Sequence, residues 1–262
     1  MKVSHEVPLS LLQESRNFND YDYALVHLFP EQREYYNFFT ESLRRYGRKV
    51  ILDNSIFELG TAYDHGEFVE WILRLRPTEY IIPDVLEDSD KTVRNGLDFT
   101  REYRDLPGKS IGVVQGHTYS ELVWCYKNLD KNVNVDKIAI SFDYSFYQNL
   151  FPNTNKYISF MLGRISLINR LLKDGVINHN KPHHLLGCGL PQEFIYYKGM
   201  DFIETVDTSN PVVHAIKGIR YNEWGLLDKE SQKLVDLFST DEKDIDRETL
   251  YFNLSKFKEF AQ

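Results

Sequence analysis

The chain has 262 residues, of which 42% are hydrophobic and 14% aromatic, and its formal net charge is −8. One substantial core and a single domain over 1–262 are expected from that length, and the charge argues against a protein that coats nucleic acid, since phosphate binding needs local cationic density. Cys125 and Cys188 stand in no paired spacing, no apolar run is long enough to span a bilayer and the start lacks a signal-peptide core, so a disulfide framework and membrane contact are not expected and a cytoplasmic protein is.

After an N-terminal segment without clear pattern, residues 23–29 (YALVHLF) have strand composition and Pro30 closes them. Helical spacing over 31–46 puts Tyr35, Phe38, Phe39 and Leu43 on one face, with Gly47 as a stop. The strand KVILD follows, then the loop NSIFELGTAYDHG and a helix burying Phe68, Trp71, Ile72 and Leu75 before Pro77. EYIIPDV is the next strand, 88–103 a helix with Val93 and Leu97 inward, and SIGVVQG a strand beyond the Pro107, Gly108 turn. A helix over 119–129 leads to KIAISFD. The long aromatic loop over 144–157 precedes a helix on which Ile158, Met161, Leu162, Ile165, Ile168 and Leu172 share a face. HHLLGCG, a short helix over 191–197 and FIETVD complete seven strands. The eighth lies either around 216–221 or before Tyr23, and a helical tail is expected over about 228–262, with helices near 229–238 and 247–260. Strand and helix alternate throughout, which predicts an α/β fold, a (β/α)8 TIM barrel.

Several strands end in the same way, with a polar side chain arriving where the apolar run stops. Asp53, Asp84, Gln115, Asp143 and Asp207 hold these places, and HHLLGCG ends at Gly187 and Gly189. Each alone reads as a helix cap or turn former. In a parallel barrel, however, the carboxyl ends of all strands open on one face, and acids gathered at one mouth are costly unless they manage a charge or a ligand. Cations for phosphate contact are Arg44, Arg45, Arg48 and Lys49, Arg74 and Arg76, and Lys181 with His183 and His184, although arginines in a helix's last turn also serve its dipole.

Taken as an ordered set, LDNSIFE, IIPD, IGVVQG, HLLGCGLPQEF and GMDFIETVD resemble the tRNA-guanine transglycosylase family over about residues 50 to 210. The family is a (β/α)8 barrel that exchanges guanine in nucleic acid for a 7-deazaguanine through a covalent aspartyl–sugar intermediate, and relatives in phages and bacteria act on DNA. The resemblance makes Asp53 the candidate general acid or base, with Asn54, Ser55 and Phe57 beside it in the base pocket. It puts Asp84 where the family reads its purine, Gln115 on its glutamine, and Asp143, Gly187 and Gly189 around the base. Asp207 becomes the nucleophile because it lies at a strand's end, whereas a stricter count lands on Glu204.

The departures also bear on function. ISFDYSF replaces the glycine pair that lines the family's base pocket, so the base need not be guanine, and Phe57, Phe142, Tyr144 or Phe146 are candidates to stack on it. The family's zinc motif and basic tail are absent, so no cofactor or metal is expected and tRNA becomes the less favoured polymer. His183, His184 and Cys188 do not replace that motif, since neighbours on a strand point to opposite faces. The resemblance therefore implies cleavage of a base–sugar bond in DNA, with exchange for a free 7-deazaguanine. Alternatives are excision of a modified base in defence against phage DNA, a tRNA enzyme, or a non-catalytic binding subunit.

Overall fold

Val50, Ile51 and Leu52 are buried whichever way their side chains point, and so are Ile138, Ala139 and Ile140. Doubly buried runs of this kind belong to parallel strands with a core on one side and helices on the other. In the computed structural model, which describes residues 1–229 and 234–262, eight strands form one parallel sheet. They are β1 (Lys2–His5), β2 (Asp22–Leu25), β3 (Val50–Asp53), β4 (Glu79–Ile81), β5 (Lys109–Val113), β6 (Lys137–Ser141), β7 (His183–Leu186) and β8 (Ile203–Thr208). Strands β2 to β8 are neighbours in chain order and β1 lies beside β8, so the sheet curls into a nearly closed (β/α)8 barrel.

Side chains complete the closure. Asn19 accepts from the His5 N–H at 2.7 Å and donates to its carbonyl at 2.9 Å, while Asp20 accepts from the Val3 N–H at 2.8 Å. Two residues of the turn before β2 thus satisfy backbone groups of β1 that a ladder would otherwise pair.

Return helices cover the outside: α1 (Arg33–Arg44), α2 (His65–Leu75), α3 (Ser89–Glu102), α4 (Tyr119–Asn128) and α5 (Lys156–Lys173). The side chains of Asp64, Asp88, Thr118 and Asn155 cap the first turns of α2 to α5, so these residues start helices as their types favour. Between β7 and β8 the return is a 3-10 helix, Pro191–Tyr197. After β8 come α6 (Asn210–Ile216) and α7 (Arg247–Ala261), the latter burying Leu250, Leu254 and Phe257. Among the described residues no helix is long and apolar enough to cross a membrane.

Some expected elements differ. The strand foreseen over 23–29 stops at Leu25, opposite the last residue of β3, and Val26–Leu28 tighten into a 3-10 turn. The eighth strand is the one before Tyr23, whereas the stretch around 216–221 ends α6 and then docks Tyr221 on Asn253. The loop over 144–157 contains a short helix, Ser145–Leu150. Of the helix foreseen over 229–238, residues 230–233 lie outside the described residues and Leu234–Leu237 form a single 3-10 turn.

The amino end of the barrel is plugged by charge. Lys137 Nζ lies 2.7 Å from both Glu79 and Glu204, and Lys49 Nζ lies 2.7 Å from Glu79 and 3.2 Å from Glu204, a ring of two cations and two anions. Lys137 is 1% exposed and Glu79 is buried with it, while Lys49 and Glu204 keep part of their access to water. A bulge between β7 and β8 skips Glu204 in the pairing and turns it into this ring.

Asn19→Ala leaves the His5 N–H and carbonyl without their partners in a buried seam. The variant is expected to lose about 1–3 kcal/mol of stability in urea unfolding, and an unchanged midpoint would show that the seam does not depend on Asn19.

Candidate active site

All the strands run the same way, so their carboxyl ends share one mouth, and a cavity of about 560 Å³ opens there. That is the size of a small-ligand site. Of the residues expected from sequence, Asp53, Asn54, Phe57, Asp84, Gln115, Asp143, Gly187 and Asp207 line it. Ser55 and Gly189 stand just behind the wall: Ser55 donates its N–H to Asp53, and the Gly189 carbonyl holds Asn210.

Asp207, near the end of β8, is buried. Its Oδ1 lies 3.0 Å from His184 Nε2 and 3.4 Å from the Gly187 N–H, which both donate to it, and no described hydrogen bond engages its Oδ2. His184 is fixed in turn by Thr205 Oγ1 at 2.9 Å and by stacking on Tyr23 with ring centroids 5.8 Å apart. The peptide that grips Asp207 is itself anchored. Arg164, wholly buried and ion-paired with Glu193 at 2.6 Å, donates to the carbonyls of Leu186 and Gly187.

Asp53 ends β3. Its Oδ2 accepts from the Tyr23 hydroxyl and its Oδ1 from the Ser55 N–H at 2.5 Å, an approach that puts Ser55 in the left-handed region at φ 60°. Burial pushes the Asp53 carboxyl well above the ordinary aspartate range, and the charges of Glu58 and Asp207 push the same way, against the two donors. Its environment thereby favours the protonated form of Asp53.

Asp84, just past β4, sits in an amide cradle. Asn54 Nδ2 donates to its Oδ1 at 2.8 Å and Gln115 Nε2 to its Oδ2 at 2.7 Å. Burial raises its pKa to about 6 despite these donors. Each oxygen keeps a second lone pair, so the ionised group can accept two further N–H bonds from the edge of a flat ligand. Nearby, Phe142 and Phe57 make an aromatic wall with centroids 6.0 Å apart. A side chain at Gly187, where φ is +63°, would run into Phe142 at 2.5 Å, which explains the glycine. Asp143 lines the cavity with its carboxyl raised by burial. Tyr144 turns away instead, bonding the Val114 carbonyl and the Ser141 N–H, and Phe146 packs on Tyr147.

Other expected contacts lie elsewhere. Glu204 belongs to the floor ring, where burial is outweighed by Lys137 and Lys49 and its pKa is lowered to about 2. Arg44 and Arg45 close α1 and stay exposed, and Arg48 is held by Asp22 at 2.9 Å. Lys181 pairs with Asp130 at 3.0 Å, and His183 is buried against Tyr126. Arg44, Arg45, Arg48 and Lys181 precede strands and His183 is the first residue of β7, so all five lie at the amino end, away from the mouth.

Sequence reasoning did not foresee Tyr23, Glu6, Glu58, Lys156 or Lys229 as lining residues, or His184 as the partner of Asp207. Glu6 follows β1, so an assigned first strand would have exposed it by the same rule that found Asp53. Burial first, then Asp207, Glu58 and Asp53, raise the Glu6 carboxyl well above its usual range. The sequence matches no family model and no curated protein.

Tyr23→Phe removes a donor that favours the ionised form of Asp53. The apparent pKa of Asp53 is expected to rise further, read by carboxyl-carbon chemical shift in a pH titration, whereas a fall would show that the tyrosine does not support the carboxylate.

Proposed function

We propose that this chain is an enzyme that breaks the bond between a nucleobase and its sugar in DNA, with Asp207 as nucleophile. The observation that carries the reading is the division of labour within one cavity: an acid with one oxygen restrained and the other without a partner among the described residues, and a second, buried acid held between two amides. A base lying against Phe142 would present its edge to Asp84 and Gln115 and its sugar to Asp207. Positive charge develops on C1′ as the base departs, and Asp207 Oδ2 captures that carbon as an ester. Asp53, holding a proton, delivers it to the leaving base and afterwards takes one from whatever attacks the ester. If that is a second base the reaction is an exchange, with a free 7-deazaguanine as the expected donor; if it is water, the product is an abasic site.

The placing of Arg44, Arg45, Arg48 and Lys181 at the far end favours a second reading, in which the same chemistry acts on a single nucleoside or nucleotide rather than a polymer. One assay separates the readings. The protein is incubated with duplex DNA, single-stranded DNA, tRNA and free nucleosides, natural and modified, with labelled guanine or 7-deazaguanine, and label incorporation, abasic sites and released base are all measured. Products from DNA support the first reading, products from nucleosides alone the second, and none from any substrate rejects both.

Asp207→Asn is expected to abolish turnover while remaining folded, whereas Glu204→Gln should turn over normally yet lose about 1–3 kcal/mol of stability, less than a fully buried pair would because Glu204 is partly exposed. Because protonation puts a donor on one Asp84 oxygen and weakens the other as an acceptor, affinity for the base should fall as pH is lowered through about 6, visible as a rise in KM. At the alkaline limb kcat should fall as Asp53 loses its proton. A KM flat between pH 5 and 8 would remove Asp84 from base recognition.

A further inference from the structure

Lys229 is an outlier in the cavity. Several acids line the same space, yet its Nζ meets none of the described carboxylates at ion-pair distance. Instead it donates to the Cys188 carbonyl at 2.8 Å and lies over two aromatic faces, 4.6 Å from the centre of Phe142 and 5.6 Å from that of Tyr157. The neighbouring residue, Gly187, is the one whose N–H grips Asp207. An amine and the carboxylate proposed as nucleophile are therefore held on adjacent residues of one loop, Cys188 and Gly187.

We propose that Lys229 gives the site a second activity, cleavage of the DNA strand through an imine formed at C1′ once the base has gone. The inference rests on the base–sugar reading. Its steps balance with the groups present. The lysine nitrogen attacks C1′, the C1′–N bond forming as the C1′–Oδ2 ester breaks, and the surplus ammonium proton passes to a carboxylate. Ring opening protonates O4′ and leaves an iminium between C1′ and Lys229. Glu6 or Asp143, the acids whose charges act on this amine, takes a proton from C2′, and the electron pair expels the 3′ phosphate from C3′. Water then hydrolyses the iminium, returning the free amine and an unsaturated aldehyde. A preformed abasic site enters at the same point through its open-chain aldehyde, with water lost in place of the ester. Burial also lowers the pKa of Lys229, which enlarges the fraction present as the nucleophilic free amine.

The test uses the full chain and oligonucleotides, duplex and single-stranded, that carry one preformed abasic site, with and without sodium borohydride. Strand scission is expected without the reductant, and with it a covalent protein–DNA adduct that peptide mass spectrometry locates on Lys229. Lys229→Arg keeps a cation but cannot form the imine under these conditions, and should lose both signals, while Lys173→Gln, at the far end of α5, should keep both. No scission and no adduct, or an adduct mapped to a different lysine of wild-type protein, overturns the inference whether or not the variants fold. Base release from intact DNA is measured in parallel: release without an adduct rejects Lys229 and leaves the base–sugar reading standing, and an adduct without release does the reverse.

Discussion

The ring of Lys49, Glu79, Lys137 and Glu204 decides which end of this barrel is a floor and which is a mouth. Taking Lys137 and Glu79 out of water is costly, and the cost is offset because each cation meets two anions at close range. Removing Glu79 would leave the buried Lys137 with Glu204 alone, a partner that is itself partly exposed. The ring also constrains β8. By drawing Glu204 out of the ladder it sets the phase of the residues beyond, so that Thr205 and Asp207 fall on one face and meet the two nitrogens of His184.

At the mouth the balance is reversed. Asp53, Asp84, Asp143, Glu6 and Asp207 share one cavity with Lys156 and Lys229, so acids outnumber the cations among its described lining residues. Such an excess resists full ionisation, and the raised pKa values of Asp53, Glu6 and Asp84 follow from burial compounded, for the first two, by mutual repulsion. Proteins that only need to fold avoid this arrangement. Here it is held by rigid supports: the amide pair around Asp84, the left-handed Ser55 beside Asp53, and the buried Arg164 and Glu193 pair behind the Gly187 peptide. Groups that titrate at different pH within one site are what acid–base chemistry requires.

Much of this was legible in the sequence. Seven strands announced themselves as apolar runs, and the rule that parallel strands aim their ends one way gathered Asp53, Asp84, Gln115, Asp143 and Asp207 correctly into one cavity. The same rule, applied to the cations, would have sent Arg48 and Lys181 to the other end, since both stand before strands rather than after them. β1 hid because Ser4 and His5, though buried, break the apolar pattern, and Glu6 was hidden with it. Lys229 carried no signal at all. It reaches the mouth from a stretch beyond the last strand, and only tertiary packing places it on Phe142.

The pairing of β1 with β8 has a consequence for how the molecule is made. Val3 lies opposite Val206, so the first strand to leave the ribosome must wait for the last, on the order of 10 to 40 s at ordinary rates of synthesis. During that interval Lys2–His5 is an unpaired edge, exposed to wrong partners. Because its proper partner is the strand that carries Asp207, that carboxylate comes into position only after β8 has been made. Chains that lack β8 should therefore have neither a closed barrel nor an assembled mouth, so closure of the sheet and completion of the cavity are one event.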